Sequence, residues 1–194
     1  MYPESQDLLE EMITLIGTAT NTVDRTEAML GWINDQEAAL KDKLEGTQKP
    51  RVYLAGNSDF LSTAGNAMYQ SAMIEQAGGN NVAKDIEDTY WVETDYEQVL
   101  AWNPEYIILA SDAQYSVEDV LSNPNLKTCE AVKNGCVYQL PGNAEAWDSP
   151  VPSGILGSIW LANVLHPEKL STEECGEIIN DYYEMFYEFT YGEI

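Results

Sequence analysis

Apolar residues in the first quarter of the chain recur every three or four positions. Leu8, Leu9, Met12, Ile13 and Ile16 form one stripe; Met29, Trp32, Ile33, Leu40 and Leu44, with Gln36 among them, form a second. That period marks amphipathic helices, so residues 4–46 are predicted to be helical, with a break over Gly17 to Thr22. Asp24, with Glu27 three residues on, is the expected start of the second helix. Gly46 is a stop signal, and Thr47-Gln-Lys-Pro50 reads as a connector.

From Arg51 the pattern changes to short apolar runs alternating with helical stripes. Arg51–Ala55, Tyr106–Ala110 and Cys136–Leu140 read as strands, and Val82-Ala83 as a shorter one. Helices are expected over 66–76, 96–102, 117–121, 129–133, 153–165 and 172–189. Asn103-Pro104 closes the helix before the second strand, because proline disfavours helix at the residue preceding it. The strands are continuously apolar rather than alternating, as in sheets covered on both faces. The predicted fold is therefore α/β: a three-layer lobe with a mainly parallel sheet over 49–194, preceded by a helical arm over 1–48. Leu61-Ser-Thr-Ala-Gly65 is expected as a turn and Trp91 as part of a loop.

Composition narrows the function. Hydrophobic residues make up 44% of 194, which suits a globular chain. The net charge of −24, from 33 acids against nine bases, argues against nucleic acid and against an anionic membrane surface. No apolar run approaches the ~20 residues of a membrane span, so direct membrane insertion is not expected. The opening Met1-Tyr-Pro-Glu-Ser-Gln is acidic and polar, unlike a signal peptide. Either the chain works in the cytoplasm or it derives from a longer precursor. Cys129, Cys136 and Cys175 are odd in number. Cys129 and Cys136 either bridge across a helix-to-strand turn, or all three are buried thiols.

Catalytic constellations are thin. His166 stands alone before Pro167 and reads as a helix terminator. Nucleophile elbows, phosphate loops and zinc spacings are missing. No enzyme, resident metal or cofactor is expected. Loops following strands are more suggestive, since they form the ligand crevice of open α/β sheets. Ser62 and Thr63 lie in one; Trp147 and Asp148 lie in another, just before the expected helix cap Ser153. Trp91 lies outside any apolar stripe. Each of these has a structural alternative, the tryptophans as lids on the core and the hydroxyls as caps. Trp32, Trp102 and Trp160 fall on helical stripes and read as core.

Seven segments in order point further. They are Arg51–Ala55, Leu61–Gly65, Ala77-Gly-Gly-Asn-Asn-Val-Ala83, Tyr96–Leu109, Ala131-Val-Lys-Asn-Gly-Cys-Val-Tyr138, Trp147-Asp-Ser-Pro150 and Leu165-His-Pro167. With them the chain resembles the C-terminal lobe of class III periplasmic binding proteins, the iron-siderophore, haem and vitamin B12 receptors of ABC importers. The resemblance implies that residues 1–48 are the interlobe helix and that an N-terminal lobe and signal segment are not in this chain. It implies an extracytoplasmic protein, periplasmic or a cell-surface lipoprotein. It implies a small-molecule ligand, a metal chelate or an oxyanion, and an ABC permease as partner. Glu97 falls where such receptors place a permease-docking glutamate, and Trp91 where an aromatic lines the cleft. The alternative is a non-transport sensor or protein-binding module on the same lobe, dimeric through its arm.

Overall fold

The computed structural model describes residues 5–86 and 90–192. Helix α1 spans Gln6–Thr20 and α2 spans Val23–Lys43. Ser5 caps α1, and Asn21 ends it in the left-handed conformation at φ 57°. The expected break over Gly17 to Thr22 narrows to Asn21 and Thr22; Gly17 lies inside α1, where a side chain would overlap Thr26 of α2. Glycine here permits close approach of the two helices. Thr22, rather than Asp24, is the N-cap position of α2.

Strand β1 is Arg51–Ala55, β2 Ser62–Ala64, β3 Asn80–Asn81, β4 Trp91–Glu93, β5 Tyr106–Leu109 and β6 Val137–Gln139. The helices between and after them are α3 Tyr69–Gln76, α4 Tyr96–Trp102, α5 Val117–Leu121, α6 Glu130–Asn134, α7 Gly154–Leu165 and α8 Thr172–Tyr187. The strand order is β4-β2-β1-β5-β6, with β3 also on β1. β3, β5 and β6 join in parallel, while β2 and β4 join antiparallel, so the sheet is mixed but mainly parallel.

Successive residues of β1 and β5 face opposite layers. Val52, Leu54 and Ile108 pack among α2, α3, α7 and α8, and Tyr53, Ala55, Ile107 and Leu109 pack toward α4, α5 and α6. That two-sided burial explains the unbroken apolar runs. α2 contributes Ile33, Leu40 and Leu44 to the first layer. Trp32 packs on Tyr182 and Phe186 with ring centroids 5.1 and 6.3 Å apart.

The antiparallel strands depart from the expected turn and loop. Each is three residues long, too short to display a period. The short strand also shifts, from Val82-Ala83 to Asn80–Asn81. Asn81 is fully buried, and its amide donates to Ala64 O at 2.9 Å and Ser71 Oγ at 3.0 Å. A polar residue can be buried in this strand because its amide is fully hydrogen-bonded, its oxygen also accepting from Ala83 N at 3.0 Å.

The cysteines are three free thiols, with Cys129 and Cys175 buried and Cys136 partly exposed. Burial pushes the Cys175 thiol up to about 12 and raises Cys136 less far. An aromatic disulfide reagent such as DTNB should therefore label Cys136 first, and the other two only after denaturation. Loss of two titratable thiols in unreduced, denatured protein would instead reveal a Cys129–Cys136 bridge.

Candidate functional site

The carboxyl ends of β1, β5 and β6 are aligned, with Ala55 beside Leu109 and Leu109 beside Gln139. Three loops leave this edge at residues 56–61, 111–116 and 141–153. Gly56 joins the first two of them. Its N–H donates to Ser62 O at 2.7 Å, and its carbonyl accepts from the Tyr115 hydroxyl at 2.5 Å. Trp91 pairs with Ala64 from the edge strand β4 and lays its ring over Gly56. A Cβ at position 56 would stand 3.1 Å from Trp91 Cζ3. The ring is still 41% exposed, with the neighbouring Tyr90 at 55%. Sequence reasoning missed Gly56 and Tyr115. The only local signal was a glycine immediately following an apolar strand.

The other expected ligand residues separate into two groups. Ser62 is half-buried beside Gly56. Thr63 is fully buried, and its hydroxyl donates to Leu54 O at 2.7 Å, which pins β2 to β1 rather than facing a crevice. Trp147 is likewise at 0% exposure. Its indole N–H donates to the Tyr183 hydroxyl at 2.9 Å, and its ring packs on Tyr191. Both side chains are thus buried in the body of the lobe, unlike Trp91.

Asp148 is 3% exposed and accepts from both Ser111 N (3.1 Å) and Ser111 Oγ (2.7 Å). It clasps the end of β5 to the 141–153 loop. Ser153 does not act as the expected side-chain cap. It is buried with an unpartnered hydroxyl, and the Tyr69 hydroxyl packs against Gly154 at the first turn of α7.

Glu97 is exposed in the first turn of α4. That turn is capped by Asp95, whose carboxylate accepts from Gln98 N at 2.8 Å. An acid there is favoured by the helix dipole as well as available to a partner. The electrostatics of the edge are one-sided. Its three loops carry Asp59, Asp112, Glu145 and Asp148 and no Lys or Arg. His166, 4% exposed, holds its Nε2 3.1 Å from Gly78 O, away from this edge. Among the described residues no cluster of three metal-ligating side chains occurs, and no helix is long and apolar enough to cross a membrane.

Known proteins resemble this chain in sequence and in fold. A family model described as periplasmic binding protein matches residues 1–144. The molybdate-binding protein MolA of Haemophilus influenzae is 30% identical over 189 residues, which is 95% of this chain and 53% of that protein. The cobalamin-binding protein of Halobacterium salinarum is 26% identical over 170 residues, 84% of this chain and 45% of its own. A periplasmic solute-binding protein from Veillonella parvula superposes with a TM-score of 0.86 at 25% identity, over 97% of this chain and 59% of that one. The chain spans about half the length of the curated relatives it matches. In sequence and in the order of its strands and helices, the chain belongs to the periplasmic binding protein family.

Proposed function

We propose that this chain forms one wall of the solute site in the binding component of an ABC importer, and that the solute is an iron complex or related metal chelate. The observation that carries the reading is Trp91. A half-exposed indole lies across a glycine at the carboxyl edge of the sheet, beside loops that contain acids but no base. A flat aromatic face suits a bulky chelate. The charge of the loops favours a neutral or cationic one over a carboxylate-rich anion.

On this reading Trp91 and Ser62 touch the solute, while Thr63, Trp147 and Asp148 hold the wall that presents it. Residues 1–48 lead to a second lobe that closes over the solute. Glu97 docks on basic residues of the permease at the extracytoplasmic membrane face. A second reading, a molybdate-like oxyanion as solute, is favoured by the similarity to MolA. It would rest on neutral hydrogen-bond donors, since the three loops carry no Lys or Arg.

Fluorescence titration separates these readings. A neutral ferric hydroxamate or cobalamin should quench the chain's emission saturably, and Trp91→Ala should weaken that binding about tenfold, roughly 1.4 kcal/mol. Quenching by molybdate alone would transfer the assignment to the oxyanion. No response to any of them would sink solute binding by this wall. In the receptor extended by its second lobe, Glu97→Arg should abolish uptake and leave solute affinity unchanged. Surviving uptake would refute the docking role.

A further inference from the structure

A second concavity lies on the flank of the molecule, apart from the crevice edge. It runs between the C-terminal half of α2, residues 44–49 and the end of α3, and encloses about 650 Å³. That volume is typical of small-molecule sites. Its floor is apolar: Leu40, Leu44 and Ile155. Glu37 stands at one end. With Leu40, Lys41 and Leu44 it follows the i, i+3, i+4, i+7 spacing that puts residues on one helix face.

Glu37 is half-buried and accepts one hydrogen bond, from Gln76 Nε2 at 3.1 Å. The other atom of that amide is already engaged, since Gln76 Oε1 accepts from Ser158 Oγ at 2.8 Å. Among the described residues no Lys or Arg forms an ion pair with Glu37. Burial raises its pKa, and Glu10 of α1 adds to the effect. A partly desolvated carboxylate held by a neutral amide lacks a counter-charge. The rim adds Asp42, Glu45 and Glu75 against Lys41 and Lys49, and Lys49 is already paired with Glu75 at 3.1 Å.

We propose that this groove binds a primary ammonium group carried on a short apolar chain. The ammonium sits on Glu37 and the chain lies along Leu40, Leu44 and Ile155. This site is independent of the solute crevice, so either assignment can fail without the other.

The test is an NMR titration of the full chain with n-hexylammonium, hexanol and hexanoate. Hexylammonium should shift the Leu40 and Leu44 methyls and the Gln76 side-chain amide saturably. Hexanol should bind at least tenfold more weakly and hexanoate not at all. Glu37→Gln should weaken hexylammonium at least tenfold in a protein that still folds, since it removes a charge that burial disfavours. Asp42→Asn should change the affinity less than twofold. Equal binding of hexanoate, indifference to Glu37→Gln, or equal losses in both variants would overturn the proposal. The last result would reduce the effect to diffuse attraction by a chain of net charge −24.

Discussion

Trp147→Ala should lower stability by about 3–5 kcal/mol, the range seen when a large buried aromatic is deleted. In a chain of this size that corresponds to a fall of roughly 10 °C in melting midpoint. The ring is fully buried among Tyr183 and Tyr191, and its N–H satisfies the Tyr183 hydroxyl. Deletion therefore opens a cavity and also breaks a buried hydrogen bond. Trp147→Phe keeps most of the volume and loses the donor, and should cost about 1 kcal/mol. Chemical denaturation of the three proteins measures both values. A loss under about 1 kcal/mol for Trp147→Ala, accompanied by loss of solute binding, would return this ring to the crevice where the sequence pattern had put it.

Gly157→Ala should also destabilise, although alanine is the better helix former by about 1 kcal/mol. Gly157 sits in the first turn of α7, against the end of the 141–153 loop. A Cβ there would lie 2.5 Å from Trp147 O and 2.9 Å from Met73 Sδ. The sulfur can move, but the carbonyl is held by the buried ring of its own residue. The expected net loss is about 1–3 kcal/mol, as for other overpacked cores. Gly176 of α8 has nothing within 4 Å of its Cβ position, so Gly176→Ala should stabilise by about 0.5–1 kcal/mol. Denaturation midpoints that move in the same direction for both variants would contradict the packing described for α7.

Both effects arise where a loop and a helix meet, and that is where the sequence was least legible. The arm, β1, β5 and β6 were readable because each carries enough apolar residues to show a period or an unbroken run. β2 and β4 were not, since three residues cannot reveal alternation and both are held by partners elsewhere in the chain. Asn80–Asn81 was invisible as a strand because its side-chain bonds exist only once Ala64 and Ser71 are brought beside it. In the candidate site, Trp91 stands out in the sequence as a residue outside every stripe, and the structure leaves it 41% exposed. Trp147, in an equally polar local context, was not distinguishable from it.

Sequence by itself determined the α/β class, the two-sided burial of the central strands and the acidic, base-free character of the three crevice loops. Those depend on residue type and short-range spacing, which the chain carries everywhere. Only the tertiary structure decided which exposed-looking aromatic stays exposed. Trp91 ends on an edge strand over a glycine and stays 41% exposed. Trp147 is covered by α8 and the segment after it, whose tyrosines are distant in the chain. Burial is a property of what folds back onto a residue, and no local pattern around Trp147 records the arrival of Tyr183 and Tyr191.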